Sequence, residues 1–348
     1  MKIALVAPPF LAVPPPKYGG TELFLHALCE GLVERGADVT LFATGDSTSC
    51  ARVRYYHREG TWPPDPMIEL HHVGWAMGHI AGAGFDIVHV HSPMALAYQP
   101  FLGDTPLVYT IHHARNASLS RYYRLYPDVG FVAISYRQKA LEFGGDEVPV
   151  IHHGLIPAEH RPSFKAGEYL LYLGRIAKEK GTHLAIDAAR LAGLPIVVAG
   201  APHEPEQAYF RAEVKPRLEL PGVSYVGEVG GEDKAALLRK ALALVFPIQW
   251  DEPFGLVMVE AMLSGTPIVG FKKGSAPEVV DEGVTGHLVP TGDVHALAQA
   301  LKRCGRIDRR NCRERAEIRF SHRRMAGEYL ALYHELLRRK EEQKLKSA

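Results

Sequence analysis

Cysteine is scarce in this chain: Cys29, Cys50, Cys304 and Cys312 are the only four in 348 residues, and none forms a Cys-x-x-Cys pair. That spacing excludes a disulfide scaffold and a paired-thiolate zinc module, so the four read as reduced thiols. Charge of one sign is missing too. Forty Lys plus Arg face 39 Asp plus Glu, leaving a formal +1, whereas a dedicated nucleic-acid binder carries a basic surplus. No apolar run approaches the roughly 18 residues of a membrane span. The short apolar start at residues 3–7 meets Pro8 and Pro9 too soon for a signal peptide. A cytoplasmic protein without nucleic acid as a partner is the expectation. Short-period repeats and low-complexity tracts are also absent, which excludes a solenoid or a fibrous chain.

What is present is ordinary globular material, 47% apolar and 23% charged, in a length that suits about two domains of roughly 150 residues. Apolar runs of strand length alternate with amphipathic stretches of helix length, the pattern of a parallel sheet flanked by helices. Strands are predicted at residues 2–8, 39–43, 87–91, 107–112 and 131–134. A helix is predicted from an N-cap at Thr21, with Phe24, Leu28 and Leu32 on one face and Gly36 at its end. His152-His153-Gly154, Pro157 and Pro162 then interrupt regular structure. A second series follows at 169–173, 196–199, 223–226, 243–246, 267–270 and 287–289, with a helix over 182–192. The fold class expected is α/β: two facing Rossmann-like, doubly wound halves, 1–157 and 158–324, with a cleft between them. A frayed charged tail is expected after Arg338. In such folds ligands bind beyond the C-terminal ends of the strands, so chemistry should follow the strands.

Three segments there carry it. Gly19-Gly20 lies between the first strand and first helix, where bare backbone amides and the helix dipole suit a phosphate; a plain turn is the alternative. In Gly174-Arg175-Ile176-Ala177-Lys178-Glu179-Lys180-Gly181, two cations flank a glycine-bounded loop and suit a diphosphate, with an exposed basic loop as the alternative. In Asp251-Glu252-Pro253-Phe254-Gly255-Leu256, Pro253 suggests a first helical position, with Glu252 at the mouth of the helix and Glu260 two turns in. Two carboxylates at different depths can grip different hydroxyls of one ligand.

Together these residues resemble the retaining glycosyltransferases of family 4. Glu252 and Glu260 are similar to its E-x7-E motif, written here E-P-F-G-L-x-x-x-E-A-M; Gly174, Arg175, Lys180 and Gly181 to its G-R-x-x-x-x-K-G segment; and Gly19-Gly20 to its N-terminal glycine loop. Residues 274–280 and 286–289 resemble its downstream pattern. The resemblance implies a GT-B architecture whose first half faces the acceptor and whose second half binds a nucleotide-sugar donor. It implies that Arg175 and Lys180 bind the donor diphosphate, that amides near Phe254, Gly255 and Leu256 support phosphate or sugar, and that Glu260 holds the ribose. Glu252 would contact the transferred sugar, and Gly20 would add a backbone contact to phosphate. Thr110-Ile111-His112-His113 resembles the family's T-x-H segment, which puts His112 at the donor sugar with His113 in reserve; Ser135 also fits the family pattern. The last helix, about 325–340, would return to the first half. The implied reaction moves a hexosyl group to an acceptor hydroxyl with retention and without a metal or cofactor. UDP-glucose is favoured over GDP-mannose by family frequency.

Other readings stay open. A nucleotide-sugar 2-epimerase would need no acceptor, and a nucleotide-sugar sensor would bind without turnover. Zinc is the obvious rival for eighteen histidines, but no His-Glu-x-x-His or paired Cys/His spacing is present, so no metal ligands are assigned. The acceptor, whether sugar, lipid or small molecule, would meet local inventions of the first half: Trp62-Pro63-Pro64, Trp75, or the segment from Asn116 to Tyr126, whose Tyr122, Tyr123 and Tyr126 suit a sugar-stacking or lipid-facing surface, with a packed helix as the reading preferred. Charge is uneven, with 15 Lys plus Arg against 7 Asp plus Glu from Lys302 onward, a net +8. Arg306, Arg309, Arg310, Arg313, Arg315, Arg319, Arg323 and Arg324 recur at helical spacing and read first as solvated helix faces. Peripheral contact with anionic lipid at the inner membrane face is the sharper alternative.

Overall fold

Short Val/Ile/Leu-rich runs that are buried on both faces can satisfy their backbone groups only against like neighbours, which makes them parallel strands under helices. The computed structural model, which describes residues 1–143, 148–165 and 167–347, has two such sheets. The first comprises β1 (Lys2–Val6), β2 (Asp38–Phe42), β3 (Arg52–Arg54), β4 (Ile87–Val90), β5 (Leu107–Thr110) and β6 (Gly130–Val132), in the order β3-β2-β1-β4-β5-β6. The second comprises β7 (Tyr169–Leu173), β8 (Ile196–Ala199), β9 (Val223–Gly227), β10 (Ala241–Phe246), β11 (Ile268–Phe271) and β12 (Gly286–Val289), in the order β12-β11-β10-β7-β8-β9. Every pairing in both sheets is parallel. The chain divides into one unit of Met1–Leu155 with the segment from His322 onward, and a second of Ile156–Ser321.

In the first unit, Val6, Phe42, Val88 and Tyr109 form a core with Val73, Ala76 and Met77 of the helix Pro66–Ile80. The helix Gly20–Glu34 meets the C-terminal helix His322–Ser347 so closely at Gly31 that an added Cβ would lie 2.6 Å from the Ala326 Cβ. Tyr329 and Tyr333 of that last helix are fully buried. In the second unit, Leu170, Val198, Val245 and Phe271 pack with Ala185, Ile186 and Ala189 of the helix Thr182–Ala192 and with Leu297 and Leu301.

Five local expectations change. β3 was not predicted, because three residues with two exposed arginines on a sheet edge carry no apolar signal. β4 and β5 end before His91 and His112, which places both histidines in the loops at the strand exits. The first helix is capped by Gly19, not Thr21, and Thr21 lies inside it. The tail beyond Arg338 is helical to Ser347, supported by Arg338–Glu342 at 2.6 Å and by an Arg339–Glu335 pair.

The fifth concerns the basic C-terminal stretch. Several of its arginines are not solvated helix faces but staples for carbonyl oxygens. Arg309 is buried and donates to Ser163 O at 2.7 Å, Ala241 O at 2.7 Å, Arg239 O at 2.8 Å and Thr266 Oγ1 at 2.8 Å. Arg313 donates to His160 O, Leu263 O and Pro157 O, and Arg319 to Val279 O and Glu278 O. In the first unit Arg324 donates to His152 O and His153 O. A planar guanidinium with five N–H groups suits this task, since several carbonyls left over at loop ends can be satisfied by one side chain.

Candidate active site

In the second unit the exits of β7 and β10 lie side by side, and both candidate loops leave from them. Gly181 makes their contact possible. Its φ is +72°, and a Cβ there would fall 2.2 Å from Pro247 O. The loops are tied by Gln249, whose amide donates to Glu179 O at 2.8 Å and whose side chain donates to Lys178 O at 2.8 Å. Lys180 then pairs with Glu252, and Trp250 Nε1 donates to the same Glu252 Oε2 at 2.7 Å. The Lys180 ammonium also sits 4.9 Å from the centre of the Trp250 ring, a cation–π contact. Arg175 is held by Glu179 at 2.6 Å, which orients its fork while leaving further N–H groups to donate.

Beyond Glu252 the chain is braced from β11. Ser275 donates through Oγ to Phe254 O at 2.6 Å and through its amide to Glu252 O at 3.1 Å. Gly274, with φ +57°, passes so near that a Cβ would lie 2.5 Å from Glu252 N. Phe254 is buried against Phe320, so only its backbone is available for binding. The helix that follows is Leu256–Leu263 with Gly255 as N-cap in the left-handed region. Pro253 is therefore in the loop and not at a first helical position, and Glu260 lies little more than one turn into the helix. Burial leaves Glu260 6% exposed, and Lys234 Nζ donates to its Oε1 at 2.6 Å. His160 lies near enough to feel the Glu260 charge, though burial is what lowers its own pKa. Lys234, Trp250 and His160 were not anticipated; each is remote in sequence from its carboxylate or outside the motif, and only folding reveals the pairings.

In the first unit the exits of β1, β4 and β5 gather a second group. Gly19 and Gly20 open the first helix, and a Cβ on Gly19 would lie 2.6 Å from Pro15 Cβ. Glu22, two residues on, is 5% exposed, and burial pushes its carboxyl up to about 7. His112 Nε2 is 2.9 Å from His91 Nδ1, its ring stacks on His153 at 5.3 Å, and Phe24 meets it edge-on at 4.9 Å. His89 is 2.7 Å from Tyr333 Oη and 2.8 Å from Thr110 Oγ1, which in turn lies 2.8 Å from Tyr329 Oη. Burial holds His112 down at about 3 and holds His89, His91 and His153 well below the ordinary imidazole value, so the cluster is neutral at physiological pH. Among the described residues, no group of three or more His, Cys, Asp or Glu side chains is arranged to hold a metal ion.

The other first-unit candidates take structural places. His113 turns to Tyr123, whose Oη is 2.6 Å from its Nε2, and to Ala114 O. Ser135 Oγ accepts from Gln138 N at 3.1 Å at the start of the helix Tyr136–Phe143. Gln138 was not anticipated: its side-chain amide donates to Ile111 O at 3.0 Å and His113 O at 2.9 Å, clamping the chain on both sides of His112. Tyr123 is buried in the core beside Tyr109, and Trp75 is half-buried and packs against Phe42 at the edge of that core. Tyr126 and Arg124 line a cavity of about 910 Å³ with Arg115 and Lys139, and Trp62 is half exposed.

Known proteins resemble both halves of the chain. The family Glycosyltransferase Family 4 matches residues 18–158, and the family Glycosyl transferases group 1 matches residues 158–319. The crystal structure of a glycosyltransferase involved in avilamycin A biosynthesis is similar over 97% of this chain and 98% of its own, with a TM-score of 0.79 and 28% identity. An O-antigen chain mannosyltransferase C of Escherichia coli is 24% identical, covering 94% of this chain and 97% of its own. A phosphatidyl-myo-inositol mannosyltransferase of Mycobacterium leprae is 27% identical, covering 86% of each chain. The chain belongs to glycosyltransferase family 4, has the GT-B architecture, and is a hexosyltransferase that takes its sugar from a nucleotide sugar.

Proposed function

We propose that the enzyme transfers a hexosyl group from a nucleoside diphosphate sugar to an acceptor hydroxyl with retention at the anomeric carbon and without a divalent metal. The reading rests on one observation above all: Lys180 and the Glu252 carboxylate, 72 residues apart, meet at the exits of two adjacent strands, with Arg175 held by Glu179 in the same loop as Lys180. The transition state resembles an oxocarbenium ion parting from a diphosphate, so its chief need is neutralisation of charge on the leaving group. Arg175, Lys180 and the first amides of the helix Leu256–Leu263 supply it, in place of a metal. Glu260, steadied by Lys234, accepts from the ribose hydroxyls. Glu252 accepts from the sugar, and Gly20 offers a backbone amide to phosphate.

His112 is too weak a base to gain a proton near neutral pH, and its part is a hydrogen bond to the sugar. Among the described residues no side chain stands out as a covalent nucleophile, and the departing phosphate itself helps to deprotonate the acceptor on the same face. UDP-glucose, favoured by family frequency, and GDP-mannose, in keeping with the mannosyltransferase relatives, are the donors to test first. The first unit would meet the acceptor and the second the donor. A place at the inner membrane face would suit a lipid acceptor, but Arg309, Arg313, Arg319 and Arg324 are already committed to carbonyls and add little to it.

Turnover with the matching donor and acceptor tests the assignment. Glu252→Ala should chiefly lower kcat, while Arg175→Ala should also weaken binding of the free nucleoside diphosphate. Full turnover by Glu252→Ala would refute the site.

A further inference from the structure

We propose that His91 is a positioning residue, which holds His112 as its Nδ1–H tautomer so that His112 presents an N–H donor to the substrate; this rests on the role given to His112 above. His91 Nδ1 and His112 Nε2 are 2.9 Å apart. Between two neutral imidazoles one nitrogen must donate and the other accept, so each ring's tautomer dictates the other's. The remaining nitrogen of His91, Nε2, is buried and has no hydrogen-bond partner among the described residues. A proton there would leave a donor stranded in apolar surroundings beside Phe24, whereas a bare lone pair is the milder loss. The proton of His91 therefore sits on Nδ1 and is donated to His112 Nε2. That leaves the His112 proton on Nδ1.

The surroundings allow no other arrangement to relieve the pair. His91 lies 4.3 Å from the His89 ring, which is committed to Tyr333 and Thr110. His112 is stacked on His153, and its backbone is fixed on either side by Gln138. One degree of freedom remains at His112, the placement of its proton, and His91 sets it. An Nδ1–H can donate to a sugar hydroxyl or ring oxygen but cannot take a proton from the acceptor.

The test needs no substrate. In the full chain labelled with nitrogen-15 at histidine, the His112 signals, identified by their loss in His112→Ala, should show a single tautomer protonated at Nδ1. His112 protonated at Nε2 would overturn the proposal. His91→Leu, which removes the donor, should convert the single tautomer to a mixture, and His91→Asn, which keeps an N–H near the Nδ1 position, should restore it. A pure Nδ1–H state in His91→Leu would also overturn it. If His91→Leu does not fold, the wild-type spectrum still decides. Failure of the functional reading shows separately, as His112→Ala turning over donor at the wild-type rate.

Discussion

Truncating Arg309 removes a donor from three carbonyl oxygens and from the Thr266 hydroxyl, which keeps only its own bond to Leu238 O. Arg309→Ala should lower stability by about 3 kcal/mol or more, read as a shift in the urea midpoint, and Arg309→Lys should recover little because one ammonium cannot span four acceptors. Glu22 gives a pH signature. Its carboxyl is raised from 4.5 to about 7 by burial, so the unfolded chain releases its proton first. Stability from this group is complete below pH 4.5 and is lost as pH rises toward and through 7. Glu22→Gln should match the wild type near pH 4 and exceed it at pH 8, by on the order of 3 kcal/mol, in denaturation series across that range. At this scale the sequence was only partly legible. The family resemblance grouped Arg175, Lys180, Glu252 and Glu260, and of these the structure brings Lys180 and Glu252 into contact. The resemblance gave no sign of Lys234, Gln138 or the His91–His112 pair, each a contact between distant segments that has no local pattern.

Elements follow from local chemistry wherever burial is two-sided. The central strands were readable because nearly every residue in them is apolar and fully buried, and the helix Thr182–Ala192 because Gly181 and Gly193 bracket it in left-handed conformations. β3 escaped because its side chains face solvent, and the start of the helix Leu256–Leu263 was misplaced because Pro253 invites a turn that Gly255 delays. Gly181 tests how the loops depend on one another. Gly181→Ala sets a methyl against Pro247 O and strains a φ of +72°, which should cost about 2 kcal/mol or more and weaken nucleoside diphosphate binding through the displaced Lys180. Calorimetric titration beside thermal unfolding checks both. In the last helix, Tyr329 and Tyr333 are buried while residues 341–346 are exposed. Ending the chain after Lys340 should therefore change the melting temperature little, whereas ending it after Gly327 should unfold the first unit.

For the molecule as a whole, a formal charge of +1 conceals a division of labour among cations. Arg309, Arg313, Arg319 and Arg324 satisfy carbonyls, and the two cations given a part in catalysis, Arg175 and Lys180, lie far upstream in a loop of the second unit. The two-sheet plan was legible from the alternation of strand and helix patterns, and the family from the order in which its motifs occur along the chain. The acceptor was not legible, since the first-unit segments offered for it are core, like Tyr123, half-buried against the core, like Trp75, or surface without a shared pattern, like Trp62. The central claim is that protein cations, not a metal, hold the donor diphosphate. It is tested most directly by calorimetric titration of UDP and GDP into the wild type and into Arg175→Ala, each in excess chelator. Saturable binding of one nucleotide by the wild type, unchanged by the chelator and at least about tenfold weaker in Arg175→Ala, is the result predicted. Binding that needs magnesium or manganese, or equal affinity in the two proteins, would contradict it.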